Sequence, residues 1–276
     1  MTQAARIAPL DDALPLVLEE RPAGGVALLT LNRPAARNAL SLAMIEALHE
    51  AVSRCGADDA VAAIVLAAKG PVFSSGHDLK ELTAHRADAD QGLAFYTQAM
   101  TACADMMQGI VACPKPVIAA VEGTATAAGC QLVATCDLAI AAEHAQFCTP
   151  GVNIGLFCST PMVALSRNVA RKRTMQMLLT GEMISAHQAA DWGLVNRAVP
   201  AADALPQALQ LAADIASKSP LTVAIGKAAF YAQAEMPLKD AYAYAARVMV
   251  DNMMARDAEE GIGAFLGKRK PDWKGF

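Results

Sequence analysis

Apolar and polar positions alternate in two regimes along the chain. Up to about residue 200, short apolar runs are separated by stretches of helical spacing. Val26–Leu31 (VALLTL) predicts a strand, and a polar loop with Pro34 follows it. Between 40 and 54 the apolar residues Leu40, Ala43, Met44, Ala47, Leu48 and Ala51 predict a helix. The run 61–67 (VAAIVLA) predicts a buried strand, 92–111 a helix, and 116–121 (PVIAAV) and Leu138–Ala142 (LAIAA) two more buried strands. These strand runs carry no polar face. They predict an α/β fold with parallel pairing and both sheet faces covered.

Beyond about residue 200 the strand signals stop. The stretches 202–217, 220–233 and 238–255 all predict helices. The expected organisation is a loose tail over 1–14, a core over 15–204 and a helical module over 205–276. The glycines of 261–267 (GIGAFLG) follow no strand and predict no dinucleotide loop.

Composition narrows the class. Of 276 residues, 54% are hydrophobic and 18% charged, so apolar surface is expected to be buried between subunits. A net charge of -4 argues against a nucleic-acid footprint. No long apolar run is free of polar breaks, which predicts no membrane span. Acidic Asp11 and Asp12 near the start count against a mitochondrial presequence, so a cytoplasmic protein is expected. The seven cysteines form no C-x-x-C pair and predict reduced, packed thiols, with no metal site.

Two strand-to-helix turns carry the candidate chemistry. The first is 70–81 (GPVFSSGHDLKE). Gly76 permits a conformation that a residue with Cβ resists. Asp78 and Glu81 have the spacing of an N-cap and its N3 partner. The N–H of His77 would then lie just before a helix. The second is 122–131 (EGTATAAGCQ), where alanines and glycine open a helix and leave the backbone approachable. Helix-opening N–H groups lack internal partners and carry the positive end of the dipole. Two of them aimed at one point would hold negative charge on a carbonyl oxygen. Either turn taken alone is also what an ordinary helix start looks like.

At these residues the chain resembles the enoyl-CoA hydratase/isomerase family, the crotonases. The matching segments run in order from 31 to 270: LNRP and NAL, FSSGHDLKE, PVIAAVEG, AGCQL, Cys136-Asp137, AQF, LTG, AADWGLV, and a C-terminal Glu260-Gly with Lys268-Arg269-Lys270. SSGHDLKE, AGCQL and TPGVN resemble most closely the enoyl-CoA-hydratase-domain-containing subgroup. The resemblance implies a spiral of ββα repeats with a C-terminal helical trimerisation module, as a homotrimer or dimer of trimers. It implies acyl-CoA as ligand, with coenzyme A part of the substrate and no permanently bound cofactor. It places oxyanion donors on the backbone of His77 and Ala128. It places substrate or CoA contacts at Arg37, Ala39, Ser75, Lys80 and Lys268, the last often toward a neighbouring subunit.

The catalytic positions depart from the family's hydratases. The two glutamates that move protons there fall on Gln131 and Gly151, which lack a carboxylate. No acid lies between Glu143 and Glu182, and Asp137 reads as structural. Three readings stay open. One is an enoyl-CoA hydratase or isomerase acting through oxyanion stabilisation. A second is a non-catalytic acyl-CoA binder or assembly protein. The third is a thioesterase using Ser159 with His77. The His77 imidazole is a candidate proton carrier, or its side chain is turned away. Cys130 reads as packing.

Overall fold

The computed structural model describes residues 14–275, so the tail expected over 1–14 lies, except for Leu14, outside the described residues. In chain order the elements are β1 (Val17–Glu20), β2 (Val26–Leu31), α1 (Leu42–Ala57), β3 (Ala63–Ala68), β4 (Val72–Ser74), α2 (Leu79–Ala84), α3 (Leu93–Ala112), β5 (Val117–Val121), β6 (Thr124–Thr126), α4 (Ala128–Thr135), β7 (Leu138–Ala142) and β8 (Gln146–Cys148). They continue as α5 (Pro161–Asn168), α6 (Arg171–Thr180), β9 (Ile184–Ser185), α7 (Ala186–Trp192), β10 (Arg197–Val199), α8 (Ala204–Ala216), α9 (Pro220–Ala234), α10 (Leu238–Met253) and α11 (Arg256–Leu266).

The larger sheet runs β1-β2-β3-β5-β7-β10, and all its pairs are parallel except β1 with β2. The smaller sheet runs β4-β6-β8-β9. Successive units place one strand in each sheet before a helix, which makes the expected spiral of ββα repeats. The strand-like runs lack a polar face because both faces are covered. In β3, Ile64 and Leu66 enter one core with Met44 and Leu48 of α1. Ala63, Val65 and Ala67 enter a second core with Ala204, Ala208 and Ala212 of α8. Those three alanines are four apart, so one narrow stripe of α8 lies close on the sheet.

Two features differ from the sequence expectation, and a third adds detail within the expected helical module. The helix expected from residue 40 begins at Leu42, because Ser41 caps it by accepting from the Met44 N–H at 3.3 Å. The smaller sheet is invisible to periodicity, since its strands are only two or three residues long. The GIGAFLG segment lies in helix α11 and its C-terminal cap. Gly261 there leaves room for Trp273: an added Cβ would meet the indole at 3.0 Å. The indole N–H donates to the Ser217 carbonyl at 3.0 Å, which ties the C-terminal segment to the end of α8.

Asp137 has the structural role its Cys136-Asp137 context suggests. Its carboxylate accepts from the Val117 N–H at 2.7 Å, Lys227 Nζ at 2.7 Å and the Tyr231 hydroxyl at 2.9 Å. Burial first, and then the Asp137 charge, push the Tyr231 phenol well above its usual range. All seven cysteines are buried and free.

Candidate functional site

The two turns meet directly. Gly76 has φ +84°, and an added Cβ would stand 2.8 Å from Ala127 Cβ, 3.0 Å from the Thr126 carbonyl and 3.1 Å from the Ala128 nitrogen. Only glycine gives both that conformation and that approach. The segment 37–40 straps the first turn in place. Ser75 N–H donates to the Arg37 carbonyl at 3.1 Å, and Ser74 Oγ to the Asn38 carbonyl at 2.9 Å. Leu40 then bridges His77: its N–H bonds the Gly76 carbonyl at 2.8 Å, and its carbonyl takes the Asp78 N–H at 3.2 Å. The bridge uses the groups on either side of His77. The His77 N–H itself therefore points away from the strap. Asn38 is fully buried and anchors the strap through Lys69 and Val72 carbonyls at 2.9 and 2.8 Å.

Helix α4 starts at Ala128 with no side chain capping it, so its opening N–H groups keep no side-chain partner. The preceding Ala127 has φ 50° and ψ −120°, a region that strongly favours glycine. Its N–H is tied to the Cys148 carbonyl at 2.9 Å, which holds the strained residue in place. Relief of that strain gives a prediction. Ala127→Gly should stabilise the fold by about 1 kcal/mol. A thermal melt should then show a rise of roughly 2–4 °C; an unchanged or lower midpoint would contradict a strained Ala127.

The expected Asp78–Glu81 box forms only by half. Asp78 caps α2, accepting from the N–H groups of Lys80 and Glu81 at 3.0 and 3.3 Å. Glu81 does not reach back, because Leu40 already takes the Asp78 N–H. Its carboxylate instead accepts from the Leu42 N–H at 3.0 Å, at the start of α1. Arg33 pairs with Asp78 at 2.8 Å. Burial alone would raise the Asp78 pKa. The Arg33 guanidinium and the two capping N–H groups outweigh it and hold the carboxyl below its ordinary value.

Around this junction stand three buried polar atoms without a hydrogen-bond partner among the described residues: His77 Nε2, Gln131 Oε1 and Thr149 Oγ1. Gln131 is only 4% exposed and Thr149 is fully buried. The residues that carry them, or their chain neighbours, border Ala127: its carbonyl takes the Gln131 N–H, its N–H bonds the residue before Thr149, and its Cβ faces Gly76 beside His77. Burial lowers the His77 pKa, and the Leu40 backbone pulls it partly back. Buried polar atoms left unpaired in this way are rare in folded proteins and mark where a ligand or water belongs. At Gly151 an added Cβ would meet the Cys158 sulfur and the Leu156 carbonyl, both at 3.0 Å. The segment has thus folded into the space where a side chain at 151 would begin.

The remaining expected residues fall in two places. Arg37, Ala39, Ser75, His77 and Lys80 lie on the strap and first turn, while Ala128, Gln131 and Gly151 lie around α4. Arg37 and Lys80 are exposed, Ala39 is buried and Ser75 half-buried. Lys268 is placed apart: it follows α11, which packs on α9 and α10. The Ser159 hydroxyl contacts the Phe157 carbonyl at 3.4 Å on an exposed turn, not His77. Among the described residues no group of three or more His, Cys, Asp or Glu could hold a metal ion. No described helix is long and apolar enough to cross a membrane. Two participants escaped the sequence reading. Thr149 before Pro150-Gly151 looks like a turn residue, and nothing in Ala127 announces a positive φ.

Comparison with known proteins supplies a context for this geometry. A family model described as "Enoyl-CoA hydratase/isomerase" matches residues 21–275. A rat protein named "Enoyl-CoA hydratase domain-containing protein 3, mitochondrial" is 46% identical over 259 residues, covering 94% of this chain and 85% of its own. A crystal structure of an enoyl-CoA hydratase from Mycobacterium smegmatis superposes with a TM-score of 0.89 at 50% identity, covering 94% of this chain and 99% of that one. The human enoyl-CoA hydratase domain-containing protein 3 superposes with a TM-score of 0.88 at 46% identity, covering 94% and 100%. The cytoplasmic expectation does not stand against this finding: the rat, mouse and human relatives are all named as mitochondrial. Asp11 and Asp12, on which it leaned, lie outside the described residues.

Proposed function

The chain belongs to the enoyl-CoA hydratase/isomerase family, in its enoyl-CoA-hydratase-domain-containing subgroup, and from that premise we propose that it binds an acyl-CoA thioester where the first turn meets α4. The backbone N–H groups of His77 and Ala128 donate to the thioester oxygen. The observation that carries this reading is that a Cβ added at Gly76 would stand 3.1 Å from the Ala128 nitrogen, so the residue before His77 lies against the start of α4. Charge that builds on the oxygen as an enolate forms is held by both, and one such donor is worth about 3 kcal/mol of barrier. Because the donors are backbone groups, alanine at 128 serves as well as glycine. Arg37, Ala39, Ser75 and Lys80 contact the substrate from the strap side, and Lys268 reaches CoA from a neighbouring subunit. Coenzyme A arrives with the substrate, so the site needs no resident cofactor. A homotrimer, or a dimer of trimers, would cover the exposed Leu238, Tyr242, Phe265 and Leu266 of α10 and α11 and Met254 between them.

Gly151 favours a second reading, a binder without turnover. A carboxylate there would need Leu156 and Cys158 to give way. The experiment is a titration with crotonyl-CoA carrying a 13C-labelled thioester carbonyl. Binding at least tenfold tighter than CoA alone, with a lower carbonyl stretching frequency when bound, is the expected result. Binding without a frequency change would sink the oxyanion assignment, and no binding would sink the whole reading.

A further inference from the structure

The three unpartnered atoms belong to residues at the junction near Ala127, and the backbone donors do not use them. A neutral imidazole with one ring nitrogen engaged offers a lone pair on the other. Burial favours the neutral form of the His77 ring, and the nearby Leu40 backbone offsets that only in part. Nε2 is buried without a partner, and in the neutral tautomer with the proton on Nδ1 it offers an open lone pair. Gln131 Oε1 is a second open acceptor. Thr149 Oγ1 both donates and accepts, and it too is unpaired and fully buried. A water molecule, with two donors and two acceptors, is the small ligand that matches this set.

We propose that His77 Nε2 is the base that activates a water for addition to a 2-enoyl thioester, and that Gln131 Oε1 and Thr149 Oγ1 orient that water. This rests on the acyl-CoA reading above. In the step, Nε2 takes one proton from the water while its oxygen bonds Cβ. The π electrons of the alkene move toward the thioester carbonyl and give an enolate, held by the His77 and Ala128 N–H groups. The imidazolium then returns the same proton to Cα. One water is added overall, and the imidazole ends as it began. The step needs no carboxylate at 131 or 151.

The charged and titratable groups around His77 leave the ring as the group that titrates. Asp78 is paired with Arg33, and Glu81 is spent on the Leu42 N–H. Arg37 is exposed on the strap. Across the junction are the thiols of Cys130, Cys148 and Cys158, which burial keeps protonated. The neutral ring is the active form. Burial lowers the pKa of His77 below 6.5, so kcat should be flat near neutral pH and fall on acidification only below that value.

The test measures hydration of crotonyl-CoA by the full chain, wild type beside His77→Gln and Thr149→Val. Both variants keep the backbone N–H groups. His77→Gln should lose kcat at least 100-fold with KM changed less than threefold, and its residual rate should lose the acid limb. Thr149→Val should lose kcat about tenfold and keep that limb. The titration with labelled crotonyl-CoA, run on each variant, verifies that the site still folds and binds. His77→Gln retaining kcat within threefold, or a wild type that binds crotonyl-CoA without hydrating it, overturns the assignment and leaves the binding reading intact. Failure of the wild type to bind removes both.

Discussion

Gly129→Ala should unfold the junction between the two turns. A Cβ at this position would stand 2.3 Å from the Ser74 carbonyl oxygen and 2.8 Å from Ser74 Cβ. Those are backbone and near-backbone atoms of β4, so no rotamer change removes the clash. Either α4 shifts away from β4 or the turn at 74–78 moves. Overpacking commonly costs about 1–3 kcal/mol, and an immovable partner puts this case at the upper end or above it. The melting midpoint should fall on the order of 10 °C. Crotonyl-CoA binding should weaken at least tenfold even in the fraction that stays folded, since the donors on His77 and Ala128 sit on the two parts forced apart. A midpoint within 2 °C of wild type would show that the contact is softer than the backbone distances imply.

The second large effect lies away from the site. Lys227→Met should cost about 3–5 kcal/mol, because it leaves the Asp137 carboxylate buried without its cation. The pair is close and dry: 2.7 Å apart, with side chains 6% and 13% exposed. Lys227 Nζ also donates to the Ile110 and Lys115 carbonyls at 3.0 and 3.1 Å, so methionine strands those oxygens too. Asp137 joins β5 to α9 through Val117, Lys227 and Tyr231, so its loss loosens the C-terminal helices from the sheet. Urea unfolding of Lys227→Met, Asp137→Asn and the double variant gives the coupling directly. The double variant should recover part of the single loss. Additive losses would mean that the charge pair contributes little and packing dominates.

Some of this was legible in the chain because it is local. The strands at Val26–Leu31 and Leu138–Ala142 carry their burial in their own residues. The Asp78 cap follows from its place before Leu79. The ordered segments from FSSGHDLKE to AGCQL identified the family. Other features were not legible because they are made by neighbours distant in sequence. Strands of three residues have no period to read. Glu81 looked like a partner for Asp78 and became a cap for α1, since Leu40 reached the Asp78 N–H first. Ala127 adopts a glycine-like conformation because Cys148, twenty-one residues on, holds its N–H.

The sequence by itself determined that backbone N–H groups stand at His77 and Ala128, in two strand-to-helix turns, and that no carboxylate stands at Gln131 or Gly151. Residue identity alone settles which groups can donate and which can ionise. Only the tertiary structure decided that the two turns meet. It also showed that Leu156 and Cys158 crowd the space at Gly151, and that His77, Gln131 and Thr149 are left with buried, unpaired polar atoms. A hydrogen bond is a property of two groups and the distance between them, and that distance exists only after the strap, the two sheets and α4 have packed.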